Sequence, residues 1–497
     1  MQSLSLFGLG VGTKSSNVSA QSRTNLYVER YQEPDKGPLA LFARPGLVRY
    51  PVSSVSGGAT TAGVPKPGVI SGPARGMSAN FVAGVTGYSS IFGVMGNVLF
   101  QHLNGVLYLQ WANYLTSSPF ATSSGRVSIV NDGINIAVAD GVGGYYAPAG
   151  TPAQMQPLPT GTTAVGFPLA TPSMTVVASH VIAADPTTVG RFYWSDAGDV
   201  TTWNSLSFAT AESCPDPLTF VFESNGELLL FGLQTVEFWA PTGDASVFQR
   251  VGSTGAQCGT DAVDTIRKVG NRVAFMGRQQ SGVGGYSVML LEGYSPRVVS
   301  TPEVDADIRR YGSAGAVANV VTWDGHTFYV LNLDSKTWAY DVLTDSWHNW
   351  STDDGRFAGQ YATQFNQYTV LSDYRDSRLY YLSDVYTDDG NQLVRETTSR
   401  HIFDGLDRVA CHELVIDFEM GVGLLSGQGT TPQVMLQISK DGGHTWGDEM
   451  WRSLGKRGEY GLQAKWLRLG ISRDWLFKLR VTDPVKVVMI GAYARFE

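Results

Sequence analysis

The sequence predicts an all-β chain, a β-propeller of six or seven blades followed by a C-terminal β-sandwich, and three observations carry that prediction. The first is composition. Only 16% of the 497 residues are charged, against about 25% in average globular chains, while glycine reaches 57 and aromatics 11%, a mixture suited to short strands and tight turns. The second is periodicity: in "ELVIDFEM", Leu414, Ile416, Phe418 and Met420 share one face while Glu413, Asp417 and Glu419 share the other. The third is recurrence, because clusters of short strands start about every 40 residues, the spacing of propeller blades. A chain this long, 43% hydrophobic, has material for more than one core.

Taken in order, residues 1–75 read as an N-terminal arm with ring-closing or interface strands. The glycines of "GLGVGT", Gly8 to Thr13, lack the third glycine and the βαβ setting of a dinucleotide site, so this is a flexible arm. "TNLYVERYQEPDKGPLALFARPGLVRY" holds a strand able to close a propeller ring or to reach a neighbour. "SSVSGGATTAGVPKPG", residues 53–68, and "APAGTPAQMQPLPTGTT", residues 147–163, are exposed loops by their Gly, Pro, Ser and Thr content.

Residues 76–395 read as the propeller. Its hairpins turn at Asn104-Gly105 and Asp132-Gly133, dipeptides that accept the positive φ a tight turn requires. "TWAYDVLTDSW" resembles a kelch-blade hairpin through Tyr340, Asp341, Thr344 and Trp347, and "YWSDAGDVTTW", Tyr193 to Trp203, looks like a lengthened Asp box. One helix is expected in "TPEVDADIRRYG": Thr301 as N-cap, Pro302 at the first helical position, Glu303 and Asp305 in the first turn and Gly312 beyond the end.

Residues 396–497 read as the sandwich. "LFKLRV" alternates Phe477, Leu479 and Val481 with Lys478 and Arg480, and Val434, Leu436 and Ile438 alternate before "SKDGGHTW". That last stretch fits the Asp-box turn of sialidases and other propellers. Ser439 and Asp441 are short acceptors for loop N–H groups, Gly443 admits positive φ, and Thr445 and Trp446 complete the pattern. Trp446 is expected to pack beneath the hairpin with its indole N–H on an acceptor. Every one of these roles is architectural. "GKRGEYGLQAKWLRLGISRDW" gathers Lys456, Arg457, Lys465, Arg468 and Arg473, which read either as solvated strand faces or as a docking surface for an acidic partner.

Several functions are disfavoured. Residues 400–497 carry 13 Lys and Arg against 12 Asp and Glu, leaving 23 against 32 for residues 1–399, so the acid lies in the larger part and is wrong for gripping phosphates. Cys214, Cys258 and Cys411 are too dispersed for a zinc site or disulfide framework and read as buried apolar residues. The seven histidines form no metal-ligand spacing, "VGSTG" has Val251 where a nucleophile elbow needs glycine, and His412-Glu413 lacks a zincin's second histidine. No residue is assigned as catalytic, metal-binding or cofactor-binding, and no cofactor is expected. "MQSLSLFGLGVG" lacks the basic and apolar regions of a signal peptide, which points to synthesis in a cytoplasm, and no window reaches membrane-span length.

"RTNLYVERYQ" with "LFARPGLVRY", then "LLLFGLQTVEFWAPTGDASVFQRV" with "GTDAV", then the end from "HELVIDFEMGVG" through "WLRLGISRDWLFKLRVTDPVKVVMIGAYARFE" together resemble the tail hub, or packaged-DNA stabilisation, proteins of short-tailed bacteriophages. The resemblance is sharpest over the last hundred residues. It implies a non-enzymatic virion protein assembled in the bacterial cytoplasm: a homo-oligomeric ring, usually six-fold, below the portal and its adaptor. Such a ring continues the DNA channel without reading sequence and carries tail fibres or spikes and a distal plug or needle. Two alternatives come from the Asp box and the propeller: a sialidase-like glycoside hydrolase, which needs an arginine cluster and paired Tyr, Glu and Asp groups, and a carbohydrate-binding propeller without catalysis.

Overall fold

The computed structural model describes residues 2–4, 18–31, 38–51, 54–57, 72–81, 89–103, 106–110, 120–148, 155–159, 166–212, 216–244, 246–252, 255–279, 285–353, 355–365, 367–405 and 407–497. The expected Gly8–Thr13 arm, the Asn104-Gly105 turn, Cys214, and most of the loop at 53–68 lie outside them. So do parts of the loop at 147–163.

Among the described residues, seven mainly antiparallel sheets follow one another along the chain, and each forms one blade. The first holds Ala74–Phe81, Ser89–Met95, Val98–Leu103 and Val106–Gln110, with Ser54–Gly57 lying parallel along its outer edge. The second begins at Ser128–Asn131, and its Asp132-Gly133 turn forms as expected, Gly133 at φ 94 and Asp132 accepting from the Ile134 and Asn135 amides. The third runs from Met174–Val177 to Asp199–Thr210 and the fourth from Leu218–Ser224 to Phe248–Arg250. The fifth is centred on Arg272–Gln279, the sixth runs from Val317–Trp323 to Ser346–Trp350, and the seventh begins at Gly359–Phe365.

A propeller buries its apolar residues between adjacent blades, and the core here is divided accordingly. Phe92, Leu99, Ile136 and Val138 join blades one and two; Ala137, Val181 and Trp203 join two and three. Phe192 and Trp239 join three and four, and Phe231 and Phe275 join four and five, their rings 5.3 Å apart. Between five and six the helix Pro302–Tyr311 inserts Val304 and Ile308 against Leu290 and Trp338. Thr301 caps it, its hydroxyl accepting from the Val304 amide, and Gly312 ends it at φ 81. Blades six and seven share Phe328, Trp350 and Leu371, and Ile91 and Phe100 of the first blade meet Tyr361 and Val370 of the seventh, which closes the ring.

The closing strand comes from the N-terminal segment. Gly46–Arg49 supplies the strand beside Leu379–Ser383, with Val48 opposite Tyr381. A Cβ on Gly46 would lie 2.3 Å from the Thr387 carbonyl oxygen, so only glycine admits this approach.

The remaining strands form a two-layered sandwich. One layer holds Leu26–Arg30, Leu39–Ala43, Val488–Phe496, Val409–Phe418 and Ala464–Ser472, with Gln2–Leu4 beside Val488–Phe496. The other holds Ser22–Thr24, Arg395–Thr398, Leu476–Val481, Gln433–Ser439 and Met450–Ser453. Between them lie Leu414, Ile416, Phe418, Met420, Val434, Leu436, Ile438, Phe477, Leu479 and Val481, the faces that alternation selects, around Trp466 and Trp475. The second layer continues into the sixth blade through Thr24 opposite Asn349, so one nine-stranded sheet runs from propeller to sandwich. At this junction Arg44 is fully buried against Asp388 at 2.6 Å and also donates to Asn25 and Ser351.

Candidate functional site

In a propeller the functional surfaces are the axis, lined by the innermost strands, and the loops on either face. The axis is occupied here. Arg126, just before the innermost strand of the second blade, reaches Asp264 of the fifth at 2.5 Å, and blades two and five are not neighbours in a ring of seven. The ion pair therefore spans the centre. Arg126 also lies 4.6 Å over the Phe220 ring of the fourth blade and donates to the Pro172 carbonyl. Beside it, burial lowers the pKa of the Arg267 guanidinium, against the opposing pull of Asp264 and Tyr361, while burial and Asp264 raise that of Tyr361 from the seventh blade. Arg75, opening the innermost strand of the first blade, holds residues 122–125 through the Thr122 carbonyl and hydroxyl and the Ser124 and Gly125 carbonyls.

None of these axial residues stands out in the sequence, because they come from separate blades and converge only in the closed ring. The one available signal is positional: Arg75, Arg126 and Arg267 each open or immediately precede an innermost strand. The arrangement differs from a glycosidase centre, which needs two carboxyl groups flanking an open sugar site. Among the described residues, the carboxyl carried up to about 7 is that of Glu303, on the helix between blades five and six; burial raises it, Lys336 opposes and Asp307 adds. Asp307 is held by Lys336 at 2.7 Å and by the Trp338 indole at 3.0 Å, a packed structural cluster. Among the described residues, no three His, Cys, Asp or Glu side chains converge as a metal site would require.

The hairpin after Gln433–Ser439 is built by its own side chains. Ser439 Oγ accepts from the Gly443 amide at 2.9 Å and donates to Asp441 Oδ1 at 2.7 Å; Asp441 in turn accepts from the Thr445 amide and hydroxyl at 2.9 and 2.6 Å. Those bonds, the Thr445 hydroxyl first, hold the Asp441 carboxyl well below the usual range, and Gly443 stands at φ 94. Trp446 departs from expectation. Its ring lies half-buried beneath the Lys478 ammonium, 4.0 Å from the ring centroid, a cation–π contact, and no indole hydrogen bond is found among the described residues. A related turn sits in the third blade, where Asp199 accepts from the Thr201 amide and hydroxyl and the buried Trp203 donates to the Val200 carbonyl. In the sixth blade Asp341 holds Thr344 and His326, the latter at 2.8 Å. Cys258 and Cys411 are buried, and burial pushes their thiols up to about 12 and about 11.

The five basic residues fall in three places. Lys465 and Arg468 lie on the edge strand Ala464–Ser472, Lys465 paired with Glu413 and Arg468 exposed at φ 58, where the strand bulges against Cys411 and Glu413. Arg473 directly follows that strand. Lys456 and Arg457 occupy an exposed loop between Gly455 and Gly458, both at positive φ. Beside that loop, Arg457 and Tyr460 line a shallow hollow with Leu424 and Leu425, the latter 80% exposed. Trp451, Leu467 and Ile471 are likewise half or more exposed along the sandwich edge, an apolar surface of the kind that marks contact with other proteins. No helix among the described residues is long and apolar enough to cross a membrane.

Comparison with known proteins gives a consistent pattern over both parts of the chain. Residues 55–386 match the phage-stabilisation family model described as bacteriophage P22 Gp10, beta-propeller, and residues 394–497 match the one described as bacteriophage P22 Gp10, beta-sandwich. The curated proteins offer no match. Among solved structures, BamB from Moraxella catarrhalis is 11% identical over 73% of this chain and 98% of its own, with a TM-score of 0.39. The Pan2 WD40 domain of Neurospora crassa is 11% identical over 63% and 89%, with a TM-score of 0.38. The computationally designed Ika8 protein is 8% identical over 63% and 96%, with a TM-score of 0.37. Likenesses so distant add nothing to what the strands themselves display.

Proposed function

This chain belongs to the bacteriophage P22 Gp10 family of phage stabilisation proteins, and from that premise we propose that several copies form a ring-shaped tail hub of a short-tailed phage. The ring, six-fold by family resemblance, sits below the portal and its adaptor. It continues the DNA channel, helps retain the packaged genome, and carries fibres or spikes and a distal plug or needle. The protein is a virion component assembled in the host cytoplasm, and its role is structural.

The observation that carries this reading is the occupied propeller axis. A DNA duplex, whose major groove alone is about 12 Å wide, has no path through a centre crossed by the Arg126–Asp264 pair. A channel for DNA must therefore be enclosed between copies. The acid excess of residues 1–399 suits a surface along which DNA slides without sticking, and the basic and apolar edge around Lys456, Arg457, Lys465, Arg468 and Arg473 suits contact between subunits. On this reading residues 1–75, 76–395 and 396–497 act as arm, propeller and sandwich, with the first part contributing strands to both bodies.

Electron microscopy of the purified protein tests the hub: closed rings around a pore are expected, and monomers at every concentration and ionic strength tried would count against it. A strongly basic pore in the assembled ring would overturn the sliding argument. Incubation with sialosides and host glycans is expected to release no sugar.

A further inference from the structure

A cleft of about 500 Å³ opens where blades six and seven meet the sandwich, on the same junction as the buried Arg44–Asp388 pair. Its walls are aromatic. Tyr27 and Phe42, on the sandwich strands Leu26–Arg30 and Leu39–Ala43, stack with centroids 6.0 Å apart, and Trp323 and Tyr386 face them from the propeller side. Two carboxylates, Asp324 and Asp384, stand in the lining, and both are exposed.

The charges in this lining do not cancel. Lys486 is held by Glu419 at 2.8 Å and Arg44 by Asp388, so both cations already have partners. Asp384 accepts one hydrogen bond, from the Tyr386 hydroxyl at 3.0 Å, and among the described residues neither it nor Asp324 has an ion pair. The Tyr27 side chain, 2% exposed, forms part of the lining. Its pKa is raised, by burial first and then by Asp324 and Glu29, which places it in a negative field. Aromatic faces beside uncompensated carboxylates are the environment that attracts a guanidinium, a weakly hydrated planar cation that stacks on rings and donates to carboxylates at once.

The same chain presents a fitting group. Of the basic residues of the sandwich, Lys465 is tied to Glu413, whereas Lys456 and Arg457 stand on an exposed loop tip with no ion pair among the described residues. The carboxylates of the cleft, Asp324 and Asp384, and the cations of the tip, Lys456 and Arg457, are complementary in charge. We propose that the cleft lined by Tyr27, Phe42, Trp323, Asp324, Asp384 and Tyr386 receives the Lys456–Arg457 loop of a second copy of this chain, with the Arg457 guanidinium against the aromatic wall. Such a contact joins two different surfaces head to tail, the type of interface that generates rings. This inference rests on the hub reading and names the contact that would hold it.

The test is a charge swap in the full-length protein, read by sedimentation velocity and by the fraction of rings in electron micrographs. Asp324→Lys with Asp384→Lys, and separately Lys456→Glu with Arg457→Glu, are each expected to raise the concentration needed for assembly at least tenfold. The variant combining all four is expected to regain most of the loss. Because these positions are exposed, melting temperatures serve as the folding control, and Asp324→Asn with Asp384→Asn replaces the lysine pair if that pair fails to fold. Rings that persist unchanged in both double variants, or a four-fold variant no better than either, would overturn the contact while leaving the hub intact. Absence of rings in the wild-type protein would instead overturn the hub reading and this contact with it.

Discussion

His348 is a neutral imidazole among aromatic rings, 5.5 Å from Phe328 and 6.2 Å from Trp350, and burial, with Arg23 adding, pulls its pKa down to about 3. The unfolded chain therefore binds the proton more readily. Its contribution is complete above pH 6.5 and is lost as pH falls towards 3, at about 1.4 kcal/mol per unit. In His348→Leu the stability difference between pH 7 and pH 5, measured by urea unfolding, is expected to shrink by about 2 kcal/mol. Glu303 behaves in the opposite sense. Its pKa is raised from 4.5 to about 7, so its contribution is present below 4.5 and lost as pH rises through 7. Glu303→Gln is expected to match wild type at pH 4 and to exceed it by about 1–3 kcal/mol at pH 8. Neither histidine nor glutamate is distinguishable in the sequence from its exposed counterparts. His348 alternates with Trp347 and Asn349 along a strand, and only the packed ring of the sixth blade reveals how dry its site is.

At the scale of single elements, legibility depended on whether the governing contacts were local. The helix Pro302–Tyr311 was readable in full, since Thr301, Pro302 and Gly312 act within one turn of its ends. Thr301→Ala is expected to cost about 0.5–1 kcal/mol by thermal unfolding, the hydroxyl-to-amide distance of 3.5 Å being long for a cap. The strand Gly46–Arg49 was readable only as a strand. Its partner lies about 330 residues away, and nothing in "PGLVRY" says whether it closes a blade or reaches a neighbour. Gly46→Val should force this strand off Leu379–Ser383, and hydrogen exchange at Val48, slow in the wild type, should become fast. Asp388→Ala leaves the Arg44 guanidinium buried without its counter-ion, and a loss of about 3–5 kcal/mol in unfolding free energy is expected.

For the whole molecule, the order of propeller and sandwich was legible because alternation and unit spacing are properties of long stretches, and the fold follows that order. The axis was not legible. Arg126 and Asp264 lie far apart in sequence, and their meeting at 2.5 Å depends on seven blades closing with a particular radius. Arg126→Ala is expected to lower the melting temperature of the propeller while leaving ring assembly intact, since the pair lies inside one chain. Loss of assembly with an unchanged melting temperature would mean that the axis faces a partner instead. Ring assembly itself should weaken between 50 mM and 500 mM salt if the exposed charges of Asp324, Asp384, Lys456 and Arg457 hold the copies together.

The strand that closes the seventh blade also sets a timetable. On a ribosome adding 5–20 residues per second, Gly46–Arg49 emerges about 20–70 s before Leu379–Ser383, and Leu39–Ala43 waits longer still for Val488–Phe496. Throughout that interval the nascent chain carries apolar strand edges with no native partner, the condition under which growing chains stick to one another. The protein is thus expected to depend on chaperone holding during synthesis. The strands Gly46–Arg49 and Leu39–Ala43 are made early and completed late, when Leu379–Ser383 and Val488–Phe496 arrive.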